Sequence, residues 1–158
     1  MANHDGTVRI GNPKAHEDLI LPPTVVLNPR LDSDLMKDEI FGPILPVITY
    51  KNLDDAIKFV NERPKPLMLY YFGSVFGANR KKIEKNTSSG MMSVNDTLMS
   101  ALNPEAPFGG VGYSGYGKYH GYEGFKALSN QKPIWLKAQL NFFPSNYVKG
   151  PYHAKRIQ

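Results

Sequence analysis

Cysteine is absent from all 158 residues. Without a thiol, disulfide cross-links, thiolate metal sites and cysteine nucleophiles are excluded, while the compartment stays open. Histidine is scarce. His4, His16, His120 and His153 lack the i, i+4 spacing that puts two imidazoles on one helix face, which argues against a metal centre. No apolar run approaches the roughly 20 residues that cross a bilayer. The opening MANHDGTVRIGN has neither the apolar core of a secretory signal nor the Arg-rich, acid-poor character of a transit peptide. The chain therefore reads as soluble, and its hydrophilic leader reads as a genuine start, although a processed precursor or a truncated fragment would look the same. Acid is missing from the last stretch: Gly124 to Gln158 contains no Asp or Glu, but carries Lys126, Lys132, Lys137, Lys149, Lys155 and Arg156. A solvated basic tail is the plain reading. An acidic protein surface or anionic lipid head groups are the alternative partners, a membrane surface ranking below protein. The cations are spaced too widely for a nucleic-acid motif, so nucleic acid is set aside.

What is present is the composition of one ordinary folded domain, with 41% hydrophobic and 21% charged residues arguing against general disorder. PPTVVLNP (22–29) predicts a strand between prolines, and PILPVITY (43–50) a second, apolar enough to be covered on both faces as in a parallel sheet. Pro46 weighs against a central position for that strand. Asn52 predicts a helix cap ahead of Asp54 and Asp55, and Leu53, Ala56, Ile57 and Val60 fall on one face before Pro64 stops the helix. PLMLYYF (66–72) and SGMMSVND (89–96) predict further strands, with a short basic helix over 78–86 between them. A long irregular stretch leads to a weak helix over 118–129 and a final strand, KPIWLK (132–137). The alternation predicts an α/β fold, a partial parallel sheet with flanking helices. Two convincing helices are too few to cover these strands, so the chain is expected to be part of a larger fold or a constant partner of another chain.

PFGGVGYSGYGKYHG (107–121) contains Gly110-x-Gly112-x-x-Gly115, a literal match to the dinucleotide fingerprint. That fingerprint needs a strand before its first glycine, a helix opening at its last, and an acid about 20 residues on for the ribose. Here NPEAPF precedes the loop, Glu123 comes too early, and QKPIWLK follows with no carboxylate. The phosphate-cradle reading fails in context. The glycines are expected to serve tight turns and close backbone approach.

DEIFGPILPVITYKNLDDAIKFVN, SSGMMSVND and PFGGVGYSGYGKYHG stand in this order. Together they resemble the C-terminal part of an aldehyde dehydrogenase, of the class 3 and fatty-aldehyde branch, from about Val8 to Leu136. The resemblance implies chemistry in which a cysteine thiolate attacks the aldehyde, a hydride passes to NAD(P), and a glutamate general base helps water release the acid. The cysteine, the general base and the nucleotide-binding domain lie upstream of EIFGP in the family, in sequence these residues do not contain. Glu39 matches the glutamate that accepts hydrogen bonds from the nicotinamide ribose hydroxyls, and Phe41 the aromatic beside the nicotinamide ring. Read without the resemblance, they are a surface Glu and a core Phe. KPIWLK looks like the terminal strand of an intersubunit sheet, able to add to a partner by main-chain hydrogen bonds.

The resulting expectations are these. Residues 1–137 form a partial aldehyde dehydrogenase-like domain and 138–158 an extended basic aromatic tail. No catalytic residue and no metal site lie within the chain. No cofactor binds it alone, and NAD(P) binds if the missing domain complements it. Its partners are other protein chains, homologous ones included. The favoured role is a non-catalytic structural or accessory subunit, the alternative the C-terminal piece of a split or truncated enzyme.

Overall fold

The computed structural model describes residues 6–10 and 20–136. The expected tail, with Lys137, lies outside the described residues. Five short strands and three α-helices follow one another: β1 (Thr7–Ile10), β2 (Thr24–Leu27), β3 (Ile44–Val47), α1 (Leu53–Asn61), β4 (Met68–Tyr71), α2 (Ala78–Asn86), β5 (Met91–Val94) and α3 (Gly121–Ala127). The α/β class is as expected, but the strands divide into two sheets. One has the order β1-β2-β3, with β1 antiparallel and β3 parallel to β2; the other is the parallel pair β4-β5. β1 falls in the polar leader, where no strand is expected. Its residues Thr7, Val8 and Ile10 are β-branched and suit a strand, and it pairs with β2, Thr7 opposite Leu27. Pro46 sits on β3, an edge strand, where a missing N–H is tolerated.

Both parallel pairs close at their carboxyl ends by the same device. Asn28, just after β2, has φ +48°; its N–H donates to the Val47 carbonyl (2.7 Å) and its Oδ1 accepts from the Thr49 N–H (2.8 Å). Asn95, just after β5, has φ +58°; its N–H donates to Tyr71 O (2.7 Å), Oδ1 accepts from Gly73 N–H (2.7 Å) and Nδ2 donates to Gly73 O (2.8 Å). Asparagine suits this role because it enters the left-handed region at little cost and carries both a donor and an acceptor.

α1 forms as its sequence dictates. The Asn52 side chain accepts from the Asp55 N–H (3.0 Å), Asp54 and Asp55 sit at the positive end of the dipole, and Ile57 is buried at the centre of the apolar stripe. Lys82 of α2 pairs with Asp54 (2.6 Å), and Asn61 Nδ2 donates to Asn86 O (2.8 Å), which sets the two helices side by side. Little else is enclosed. Among the described residues the buried apolar side chains are Val26, Pro29 and Ile57. Clefts of about 250 Å³ and 490 Å³ open beside α1 where a continuous core would have side chains.

KPIWLK is expected to pair in an intersubunit sheet, and among the described residues of this chain it pairs with nothing. Residues 132–136 form no strand, and Ile134, Trp135 and Leu136 are largely exposed, because no strand among the described residues lies beside them to pair with.

The asparagine clip predicts a mutational ranking. Replacing Asn95 by alanine should cost about 1–3 kcal/mol, from two lost side-chain hydrogen bonds and a Cβ in the left-handed region. Asn95→Gly, which keeps the backbone conformation, should cost less. Urea unfolding of the three proteins checks the order.

Candidate cofactor-facing turn and glycine loop

Glu39 and Phe41 lie on a turn between two anchored segments. Upstream, buried Ser33 donates from Oγ to Arg30 O (2.6 Å) and starts a single 3-10 turn over Asp34–Met36. Lys37 Nζ donates to Asp34 (2.9 Å); this hydrogen bond and the attraction behind it lower the Asp34 pKa and raise that of Lys37. Downstream, Ile44 N–H donates to Gly42 O (2.9 Å) and Thr24 N–H to Pro43 O (2.8 Å), locking the exit of the turn onto the sheet. Between these anchors Glu39 is exposed, and Phe41 is 93% exposed at φ +46°. Phe41 is thus no core residue. A bulky side chain in the left-handed region costs of order 1–3 kcal/mol, and none of that is offset by burial here.

The chemistry of this pair fits a nicotinamide riboside. A carboxylate offers two acceptor oxygens to a pair of hydroxyls, and an uncovered aromatic face suits a flat ring. Among the described residues, no hydrogen bond or ring contact joins the turn to the glycine loop, so the two remain separate features.

The glycine loop is a closed knot rather than a phosphate cradle. Phe108 and Tyr119 exchange two main-chain hydrogen bonds (2.8 and 2.9 Å) at its base, and their rings meet edge to face at 5.5 Å. Ser114 Oγ accepts from Val111 N–H (2.9 Å) and donates to Val111 O (3.0 Å), closing the tip. No regular strand precedes Gly110, and α3 begins only at Gly121, well past Gly115. A Cβ on Gly110 would lie 2.5 Å from the Gly115 nitrogen and closer still to the Ser114 carbonyl, so backbone fills the space a phosphate would need.

Sequence reasoning missed His120. At φ +76° it precedes α3, its ring meets Tyr119 at 4.4 Å and Phe108 at 5.7 Å, and its buried Nδ1 has no hydrogen-bond partner. The sequence signal available was its position between two aromatics and a glycine. His4, His16 and His153 lie outside the described residues. No group of three or more metal-ligating side chains occurs among the described residues, and no helix there is long and apolar enough to cross a membrane.

The sequence pattern of the aldehyde dehydrogenase family matches residues 2–134. The chain belongs to the aldehyde dehydrogenase family. It is 47% identical over 109 residues to aldehyde dehydrogenase family 3 comG of Dictyostelium discoideum, covering 69% of this chain and 23% of that protein. It is 46% identical over 138 residues to a probable coniferyl aldehyde dehydrogenase of Pseudomonas aeruginosa, covering 87% of this chain and 28% of the other. The substrate-bound structure of Staphylococcus aureus AldH matches 94% of this chain with 32% of its own length, at a TM-score of 0.73 and 38% identity. An aldehyde dehydrogenase of Mycobacterium tuberculosis complexed with NAD+ matches 87% with 28% of its length, at a TM-score of 0.69 and 26% identity. The chain spans about a quarter of the length of the curated relatives it matches.

Phe41→Gly should raise the stability of the chain by up to about 1 kcal/mol, because glycine accepts positive φ and no buried surface is lost. Thermal unfolding checks this. An unchanged or lowered midpoint would show that the turn is not strained.

Proposed function

We propose that this chain is the C-terminal part of an aldehyde dehydrogenase catalytic unit of the class 3 kind, active only together with the family's nucleotide-binding and cysteine-bearing sequence. The observation that carries this reading is Phe41, an aromatic ring held in an unfavourable backbone conformation, 93% exposed, two residues from a free-standing carboxylate. Strain without burial is retained for use outside the chain's own core. The family 3 names of relatives in Dictyostelium discoideum and Mus musculus support the branch. NAD(P), when bound, supplies the hydride acceptor. Glu39 then accepts from the ribose hydroxyls and orients the ring, and Phe41 covers one face of it against water.

A second reading, a non-catalytic accessory subunit, is favoured by the absence of cysteine from the sequence. Without a sulfur nucleophile this polypeptide alone cannot form the thiohemiacetal from which hydride leaves.

The test mixes the chain with a family member truncated before the matched segment, so that it retains its cysteine and nucleotide-binding part. Aldehyde-dependent NADH formation by the mixture, absent from either component, is expected. Glu39→Gln should leave assembly unchanged and raise the KM for NAD(P) about tenfold, the weight of hydrogen bonds to a charged acceptor. Assembly without turnover would favour the accessory subunit. Turnover by the pure chain alone would contradict both readings.

A further inference from the structure

Three main-chain segments meet at Gly90. Its N–H donates to Pro66 O (2.9 Å), just ahead of β4, and a Cβ there would lie 2.6 Å from Leu67 O and 2.9 Å from the Gly110 Cα. The glycine loop is therefore pressed backbone to backbone against the start of the β4-β5 sheet. Such contact creates a difficulty, because carbonyls brought together without donors repel one another and lose water.

Lys118 resolves it. Its ammonium donates to Gly90 O (2.6 Å) and also to Gly109 O, so one cation bridges the sheet and the opposite limb of the loop. The side chain is half-buried and its stem crosses the inside of the knot, where the Lys118 Cδ lies 3.1 Å from the Cβ position of Gly109. Among the described residues, the main-chain hydrogen bonds of the loop stay within the loop and its junction with α3. The hydrogen bond from loop to sheet is the one Lys118 makes.

We infer that Lys118 is a positioning residue, a cationic pin that seats the glycine loop on the β4-β5 sheet and thereby fixes its place in the assembled aldehyde dehydrogenase site. The part about the assembled site rests on the proposed function; the pin itself does not. A lysine is suited to this because its ammonium has three donors and no acceptor, and both partners are carbonyls. Methionine would keep the length and the apolar stem while losing the donors. Arginine keeps charge and donors at the cost of geometry.

The test has two arms. In the first, the full chain is treated with chymotrypsin and cleavage is timed after Tyr113 and Tyr116, which are 95% and 96% exposed on the loop. Lys118→Met should speed cleavage there on the order of tenfold, as expected for losing hydrogen bonds to a charged donor, with cleavage elsewhere unchanged; Lys118→Arg should restore most of the protection. Equal loop cleavage in the wild type and Lys118→Met would overturn the proposal, as would a uniform rise across the whole chain that Lys118→Arg does not reverse. In the second arm, the variants are complemented as above. Lys118→Met should lower kcat/KM for the aldehyde about tenfold and leave the KM for NAD(P) unchanged, whereas a merely unstable chain would lower kcat alone through fewer active sites. A wild-type mixture without turnover would count against the proposed function, leaving the proteolysis to decide the pin.

Discussion

Main-chain pairing, not side-chain burial, is the interaction on which the described fold depends. Each parallel pair is four residues long, and the two-stranded sheet β4-β5 is of a size that is marginal in water. What gives these pairs definition are the asparagine clips at their carboxyl ends, the cap of α1 and the Lys118 bridge at the start of β5. All of these are polar and directional, and their net worth is about 1 kcal/mol each, more where a charge takes part. Full burial, which dominates the folding of an ordinary domain, is scarce, since Val26, Pro29 and Ile57 are the buried apolar side chains among the described residues.

This imbalance connects structure to function. Open clefts flank the half-buried apolar stripe of α1, and the exposed Ile134, Trp135 and Leu136 present hydrophobic surface without a cover. A soluble domain rarely tolerates this unless the surface is an interface. On the proposed function, the complementary surface would come from the cysteine-bearing and nucleotide-binding sequence that this chain does not contain. The same association that would cover the apolar faces would bring a cysteine and a nucleotide site to Glu39 and Phe41. Stability and chemistry would then be completed together, which accounts for a strained aromatic turn in a chain so poor in core.

Much of the local structure was legible in the sequence, because local physics decides it. The i, i+3, i+4, i+7 pattern with Asn52 as cap is enough for α1, and Pro46 is enough to place β3 at an edge. The rejection of the phosphate cradle also rests on local logic, since no strand leads into Gly110 and no helix opens at Gly115. Non-local features escaped. β1 takes its place beside β2, and Lys118 was only one of many lysines until its two carbonyl partners were in view. The positive φ of Phe41 follows from anchoring on either side and against the residue's own preference, whereas Asn28, Asn95 and His120 are of types that enter the left-handed region more readily. KPIWLK has the composition of a strand without a neighbour to make it one. Glu39 and Phe41 were found through family resemblance alone, since composition gives a surface Glu and a core Phe.

The central claim, that this chain lacks its own cover and takes it from the cysteine-bearing part of the family fold, is tested most directly by a hydrophobic fluorescent dye. The isolated chain should bind anilinonaphthalene sulfonate strongly, and the signal should fall to a plateau near one equivalent of complement as the apolar faces close. A chain that binds no dye and unfolds cooperatively as a lone monomer would contradict the account.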